Sequence, residues 1–142
     1  MLIGNYFKNI NIKFKDHFFS GLSFNSSKCK KNMIFFAIKG NDFDGNKFIK
    51  HAIKNGARTI VSNAKYEGKK DDVLFIKSFN VRKLLAETSF KIYKKRPKNL
   101  IAVTGTNGKS SVANFYLQIL QLNKKKAASI GTLGIHTASK KT

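Results

Sequence analysis

The sequence predicts an α/β fold, with a parallel sheet in residues 1–96 and the first βαβ unit of a phosphate-loop domain in residues 97–142. Short apolar runs alternate with segments of helical periodicity up to residue 96, and this alternation favours parallel strands joined by helices. The basic run around Pro97 is typical of an interdomain linker, and the strand pattern restarts after it. An apolar run, a glycine-rich turn with one lysine and a helix then follow in order, as in a phosphate-binding loop.

Apolar runs and periodicity place the elements of residues 1–96. Four runs are predicted to be strands: “GLSF”, “MIFFAI”, “RTIVS” and “VLFI”. The charged segment “NAKYEGKKDD” is expected to be a loop. One helix is predicted from Asn46 up to Gly56, a residue suited to a helix C-terminus. A second helix is predicted with an apolar stripe from Val81 to Ile92 and an end before Pro97. The amphipathic segment Leu2–Phe19 fits a short helix better than a strand.

Residues 97–142 are expected to hold only the beginning of a domain. A strand is predicted at Leu100–Val103, a helix at Ser110–Leu122 and a second strand at “AASI”. These elements would make one βαβ unit, whose strands are parallel. A nucleotide-binding sheet needs several more strands, so the domain is expected to be incomplete.

The charge of the chain is strongly positive, with 28 Lys and Arg residues, 7 Asp and Glu residues and a formal net charge of +21. Only three of the cations are arginines, and the lysines are scattered along every segment. Proteins that recognise nucleic-acid bases or bind phosphates through two hydrogen bonds favour arginine for these contacts. We therefore expect no specific nucleic-acid binding, although salt-sensitive adhesion to polyanions follows from the charge.

Other sequence features exclude several classes of protein. The longest apolar run, Met33–Ile38, is far shorter than the roughly 20 residues of a membrane span. We therefore expect no membrane partner and a cytoplasmic location. The single cysteine, Cys29, excludes an internal disulfide. His17, His51 and His136 are dispersed, without metal-binding spacing, and are expected to be surface or packing residues.

The segment “IAVTGTNGKSSVANF” carries the phosphate-loop chemistry. Gly105 and Gly108 allow positive φ, so that successive backbone amides can point at phosphate oxygens. Lys109 can place its ammonium against the β- and γ-phosphates, and the Ser110 hydroxyl can bind Mg²⁺. The general phosphate-loop pattern has glycine where this chain has Val103, so an ordinary glycine-rich turn remains the alternative.

The stretch “VTGTNGKSS” resembles the ATP loop of the Mur ligase superfamily. The resemblance implies binding of ATP and Mg²⁺, with a catalytic role for Lys109 and with Ser110 as a metal ligand. The residues that it assigns to the nucleotide are Gly105, Thr106, Asn107, Gly108, Lys109, Ser110 and Ser111.

The stretch from “GLSFNSSKCKKNMIFFAIKG” to “NDFDGNKFIKHAIKNGARTIV” is similar to the N-terminal uridine-binding domain of the family members that add the third amino acid to the peptidoglycan precursor. “SIGTLGI” is also similar to these members, so the resemblance covers about residues 20–142. It implies that residues 1–96 bind the UDP-sugar precursor. The implied contacts are Phe24, Ser26, Asn41, Asp42 and Phe43. One departure is that the usual Asp-Ser-Arg stands here as Asn25-Ser26-Ser27, without either charge.

The reaction that the resemblance implies is ATP-dependent amide formation through an acyl phosphate. The substrates would be UDP-N-acetylmuramoyl-L-alanyl-D-glutamate and an amino acid. The family pattern places the rest of the central ATPase domain and a C-terminal domain later in the chain, so we expect an inactive N-terminal fragment that lacks these partner domains. Two alternatives remain open: a ligase of the same family that adds the terminal dipeptide, and a uridine-nucleotide-binding module without catalysis.

Overall fold

The computed structural model describes residues 1–8, 10–41 and 43–137. The chain divides into two compact units, Met1–Arg96 and Pro97–Thr142. Over the described ranges, no helix combines the length and the apolar character that a bilayer crossing requires.

The first unit is built on a five-stranded sheet with the order β1-β2-β3-β5-β4. Its strands are β1 (Leu22–Ser23), β2 (Ile34–Phe36), β3 (Thr59–Ser62), β4 (Gly68–Lys70) and β5 (Val73–Lys77). β1, β2, β3 and β5 pair in parallel, and β4 pairs antiparallel with β5. The predicted α/β class and the four predicted strands of this unit are confirmed, and the sheet is mostly parallel because the unpredicted β4 is antiparallel.

Both faces of this sheet are covered, because successive residues of a strand point to opposite faces. One core cluster joins the sheet to helix α2 (Val81–Ile92); its buried strand residues are Ile34, Phe36, Val61, Leu74 and Ile76. The other cluster joins the sheet to helix α1 (Ile49–Lys54); its buried strand residues are Phe35, Ile60 and Val73. Burial on two sides explains why “MIFFAI” is apolar without alternation.

The two helices of this unit lie where periodicity predicts them. α2 spans the predicted apolar stripe and ends before Pro97, as predicted. The first predicted helix begins with the 3-10 helix Gly45–Phe48 and continues as α1. Gly56 follows α1 with a φ of 105°, and its N–H donates to the Ile53 carbonyl oxygen at 2.9 Å. Positive φ after the last helical turn is the conformation that favours glycine there.

The N-terminal segment differs from the prediction, because the described part of Leu2–Phe19 contains no α-helix. It has two 3-10 helices, Ile3–Asn5 and Ile12–Phe14. The chain then folds back, and the Phe19 N–H donates to the Met1 carbonyl oxygen at 2.8 Å. Ile3 and Phe19 are buried in the core beside α2. The helical spacing of the apolar residues therefore reflects tertiary burial of a loop.

The charged segment that was expected to be a loop contains β4. Asp71 and Asp72 have φ values of 48° and 61°. Two successive residues with positive φ are the signature of a tight hairpin turn. Lysines make up most of β4, which lies at the edge of the sheet. Edge strands tolerate such charge, so this strand lacks the apolar alternation that would have revealed it.

The second unit contains α3 (Lys109–Leu122) followed by β6 (Ala128–Gly131) and β7 (Gly134–Thr137). The predicted helix is confirmed, but the predicted βαβ unit is wrong. β6 pairs antiparallel with β7, and Leu100–Val103 is not a strand. Leu100 is 89% exposed. A strand needs a neighbour to satisfy its backbone groups, and in the described part of this unit no strand pairs with Leu100–Val103.

Replacing Phe36 by alanine should destabilise the first unit by about 3 to 5 kcal/mol, because the Phe36 side chain is fully buried between β2 and α2. Urea unfolding of the 142-residue chain, followed by far-UV circular dichroism, measures the change in the free energy of unfolding. Phe79→Ala is the matched control, since the Phe79 ring is almost fully exposed. Equal losses for the two variants would contradict the assigned core.

Candidate functional site

The loops that follow β1 and β2 leave the same edge of the sheet. These strands are parallel neighbours, with Leu22 opposite Ile34 and Ser23 opposite Phe35. Carboxyl ends of parallel strands are the usual place for ligands in open α/β sheets. Four of the five predicted precursor contacts lie in these two loops as the structure describes them, and Asp42 lies outside the described residues.

The loop after β1 is held by short polar side chains. The Asn25 amide oxygen accepts from the Ser27 N–H at 2.9 Å and so caps the 3-10 helix Ser26–Lys28. The Ser23 hydroxyl donates to the Asn25 carbonyl oxygen at 2.7 Å. Asn25 thus performs the capping that an aspartate could perform at the same position. The missing carboxylate is therefore compatible with the local fold of this loop.

Ser26 is only 8% exposed, and its hydroxyl lies 3.0 Å from His51 Nδ1. The Asn55 side-chain amide donates to the Ser26 carbonyl oxygen at 3.0 Å. His51 and Asn55 are four residues apart on and just after α1, and that spacing puts both on one helix face. His51 is exposed, in agreement with the expectation of a surface or packing residue. No pattern in the sequence connects His51 with Ser26, so this contact was not predicted.

The loop after β2 is a closed turn. Lys39 and Asp44 form an isolated antiparallel bridge, and the Gly40 N–H donates to the Phe43 carbonyl oxygen at 2.8 Å. Asn41 lies exposed within this turn, and the Phe43 side chain is 75% exposed. The Phe24 ring, in the loop after β1, is 70% exposed. Each loop therefore presents an aromatic ring that the core does not use.

The turn after β2 ends in the pair Asp44-Gly45, and the structure explains both residues. The Asp44 carboxylate accepts from the Asn46 N–H at 2.9 Å and from the Asn46 side-chain amide at 2.7 Å. These two hydrogen bonds hold the pKa of Asp44 below its usual value. A Cβ on Gly45 would lie 2.6 Å from the backbone nitrogen and oxygen of Ile38. Glycine is therefore required for the close approach of the turn to the end of β2.

A side-chain contact links this turn to the loop after β3. The Asn46 side-chain amide donates to the Asn63 amide oxygen at 3.0 Å. Asn63 directly follows β3. α1 contacts two of the 3-10 helices, Ser26–Lys28 and Gly45–Phe48. The loops after β1, β2 and β3 are therefore connected through α1 and Asn46.

The glycine-rich turn of the second unit has the predicted backbone. Gly105 has a φ of 150°, and Gly108, the residue before α3, has a φ of 75°. No side chain caps α3, and its first turn carries no acidic residue. The N–H groups at the start of a helix lack partners within the helix. Those of the first turn of α3 are therefore suited to bind an anion.

Lys109 is directed back into its own turn. Its ammonium donates to the carbonyl oxygen of Gly105 and, at 2.9 Å, to that of Thr106. Both carbonyls belong to the turn that precedes the lysine, so the ammonium closes this turn. A bound phosphate can replace these carbonyl oxygens as the partner of the ammonium.

The remaining predicted nucleotide contacts surround this lysine and are exposed. Thr106 and Asn107 lie in the turn, and Ser110 and Ser111 lie in the first turn of α3. The described residues contain no cluster of three His, Cys, Asp or Glu side chains that could hold a metal ion by themselves. The Ser110 hydroxyl is a side-chain oxygen that could hold Mg²⁺ together with phosphate oxygens, a common arrangement for this ion.

Comparison with known sequences places these features in a family. The profile described as “Mur ligase family, catalytic domain” matches residues 19–93. The chain is 48% identical over 127 residues to the UDP-N-acetylmuramoyl-L-alanyl-D-glutamate--2,6-diaminopimelate ligase of Rickettsia prowazekii, covering 89% of this chain and 26% of that protein. It is 36% identical over 134 residues to the second such ligase of Clostridium acetobutylicum, covering 93% of this chain and 26% of that protein. The chain thus spans about a quarter of the length of these curated relatives.

Solved structures share the fold. One is a UDP-N-acetylmuramoyl-L-alanyl-D-glutamate--2,6-diaminopimelate ligase, with a TM-score of 0.68 and 24% identity over 94% of this chain and 28% of that one. Another is the MurF ligase of Thermotoga maritima in complex with ADP. Its TM-score is 0.54, and it is 28% identical over 74% of this chain and 24% of that one.

The stability that Asp44 gives to the first unit should depend on pH. Because the pKa of Asp44 is lower in the folded chain than its usual value of 3.8, its stabilising effect is present above that value and is lost as the pH falls through the folded pKa. The difference in unfolding free energy between the wild type and Asp44→Asn should therefore shrink between about pH 5 and pH 2. Urea unfolding at several pH values measures it. A difference that stays constant with pH would contradict the role of the carboxylate charge.

Proposed function

Because this chain belongs to the Mur ligase family, we propose that it supplies the UDP-precursor site and the ATP loop of a ligase. The ligase would join 2,6-diaminopimelate to UDP-N-acetylmuramoyl-L-alanyl-D-glutamate. The observation that carries this proposal is the 48% identity to a relative with this name. Since the chain spans about a quarter of that relative, the activity is proposed for a protein that contains this segment.

Residues 1–96 would bind the UDP part of the precursor at the loops after β1 and β2. Phe24 and Phe43 are exposed aromatic rings, and a nucleobase stacks on such rings. Asn41 and Ser26 offer an amide and a hydroxyl for the polar groups of the ligand, and the family resemblance adds Asp42. The hydrogen bonds within the two loops keep these groups in place before the ligand binds, which lowers the entropic cost of binding.

Residues 97–142 would begin the ATP-binding domain. The Lys109 ammonium would exchange the carbonyls of Gly105 and Thr106 for the β- and γ-phosphates of ATP. One unit charge pair at about 4 Å contributes roughly 4 kcal/mol at an effective dielectric constant of about 20. Ser110 would hold Mg²⁺, which neutralises charge on the same phosphate oxygens. Gly108 and the first turn of α3 would bind phosphate oxygens through backbone N–H groups.

The proposed reaction has two steps. An oxygen of the glutamate side-chain or terminal carboxylate bonds to the γ-phosphorus of ATP, and ADP leaves. The neutral amine of the incoming amino acid then bonds to the acyl carbon, the bond from this carbon to the phosphate oxygen breaks, and phosphate leaves while the nitrogen loses a proton to water. The described residues would serve the first step, because Lys109 withdraws charge from the phosphate that is transferred.

A ligase of the same family that adds the terminal dipeptide is the second candidate, since the fold is shared with a ligase of another name, MurF. The 48% identity over 127 residues to a diaminopimelate ligase favours the first candidate. The two candidates differ in their precursor, which ends in D-glutamate for the first and in the third amino acid for the second. The Kd values for the two precursors therefore separate the candidates.

The Phe43→Ala variant should weaken binding of UDP-N-acetylmuramoyl-L-alanyl-D-glutamate about tenfold, because the stacking surface for uracil is lost. Isothermal titration calorimetry of the 142-residue chain at about 0.15 M salt, where surface charges are largely screened, measures the Kd. Phe79→Ala has the same change of side chain at another exposed position and should bind as the wild type does. Since both variants keep the net charge, an equal effect of the two would exclude a uridine site at Phe43.

The Lys109→Ala variant should lose at least about 100-fold in ligation rate, because a phosphate-stabilising cation is removed from the transition state. The rate is measured as diaminopimelate-dependent phosphate release in a chimera. In it, residues 1–137 of this chain are joined to the remainder of the Rickettsia prowazekii relative. The Kd of the Lys109→Ala variant for the UDP precursor should stay within about twofold of the Kd of the unchanged chimera.

Lys125→Ala is the charge-matched control for this experiment, since Lys125 follows the C-terminal end of α3. It should retain the activity of the unchanged chimera. More than about a tenth of the activity in Lys109→Ala would speak against the assigned role of the lysine.

A further inference from the structure

The contact between Ser26 and His51 determines which way the Ser26 hydroxyl can donate. The two atoms are 3.0 Å apart, and either one could be the donor. A neutral imidazole carries its proton on one nitrogen only, so the role of Nδ1 depends on what Nε2 does.

Asn55 decides the role of His51 Nε2. The Asn55 side-chain nitrogen lies 3.0 Å from the Ser26 carbonyl oxygen and 3.4 Å from His51 Nε2. A carbonyl oxygen can only accept, so the amide must present its NH₂ group, and not its oxygen, to this side. The NH₂ group has two hydrogens and no acceptor capacity. The 3.4 Å contact is a hydrogen bond only if His51 Nε2 accepts, and this arrangement puts the imidazole proton on Nδ1.

It follows that Nδ1–H donates and the Ser26 oxygen accepts. The Ser26 hydroxyl then keeps its own hydrogen for another acceptor. Among residues 1–8, 10–41 and 43–137, no acceptor takes this hydrogen, although Ser26 is nearly buried and has little access to water. A hydroxyl in this position lacks a partner until a ligand oxygen reaches it.

We propose that His51 is a positioning residue that, together with Asn55, makes the Ser26 hydroxyl a hydrogen-bond donor to an acceptor oxygen of the UDP precursor. The acceptor would be a uracil carbonyl or a diphosphate oxygen, since both accept and neither donates. This inference rests on the proposed function, because it takes Ser26 as a contact of the precursor. His51 itself touches no ligand and acts through Ser26.

The tautomer of His51 tests the first half of this inference without any ligand. Long-range ¹H–¹⁵N correlation NMR of the labelled chain at about pH 8.5, where an ordinary imidazole is neutral, distinguishes a proton on Nδ1 from one on Nε2. We expect the signal pattern of the Nδ1–H tautomer for His51. A proton on Nε2 would overturn the inference and would leave the proposed function untouched.

Binding of UDP-N-acetylmuramoyl-L-alanyl-D-glutamate tests the second half, with Kd measured by calorimetry. Ser26→Ala and His51→Leu should each weaken binding about five- to tenfold, the effect of one hydrogen bond. The double variant should be no weaker than Ser26→Ala alone, because His51 acts through the hydroxyl. His51→Asn should restore most of the affinity, since its side-chain amide can donate from the place of Nδ1. His136→Leu, the same change in the other unit, should bind as the wild type does.

The outcomes separate the two proposals. Weaker binding by Ser26→Ala with unchanged binding by His51→Leu, or additive losses in the double variant, would overturn the role of His51 alone. A His51→Asn variant as weak as His51→Leu, with both folded by circular dichroism, would do the same. Unchanged binding by Ser26→Ala would overturn the Ser26 contact and with it the role of His51, but not a uridine site at Phe24 and Phe43. No binding by the wild type would overturn the proposed uridine site itself.

Discussion

The parallel pairing of β1, β2, β3 and β5 is the constraint on which the first unit depends. Parallel strands need coverage on both faces, and α1 and α2 provide it through two separate core clusters. The same pairing sends the chain out of β1, β2 and β3 at one edge of the sheet. The candidate precursor loops therefore lie together as a consequence of strand direction.

Short polar side chains turn this edge into a defined surface. Asn25 and Asp44 cap the two 3-10 helices, and Asn46 connects the second cap to Asn63. Each of these bonds satisfies a backbone or amide group that the turn would otherwise leave without a partner. Capping occupies Asn25 and Asp44, whereas Asn41, Phe24 and Phe43 are exposed. Under the proposed function, structural and ligand-binding roles would thus be divided between neighbouring residues.

The two units differ in which charged residues they contain and in the partners of these residues. Residues 97–142 contain seven lysines and no Asp or Glu. The one lysine of the glycine-rich turn, Lys109, has carbonyl oxygens as its partners. A turn without nearby carboxylates offers no competing anion, which favours a phosphate ligand at Lys109. In the first unit, where acidic residues occur, the ion pairs Lys69–Asp72 and Lys83–Glu87 lie at the exposed surface, so they add little to stability.

The sequence by itself determined the elements whose signals are local. Apolar runs located β1, β2, β3 and β5, periodicity located α2 and α3, and the spacing of Gly105, Gly108 and Lys109 indicated the phosphate turn. Tertiary structure decided what depends on distant partners. β4 forms because β5 offers an edge, Leu100–Val103 lacks a paired strand in the described part of its unit, and Leu2–Phe19 folds as a loop against the core. The contact of His51 with Ser26 spans 25 residues, and no local pattern records it, because the packing of α1 against the loop after β1 brings the two side chains together.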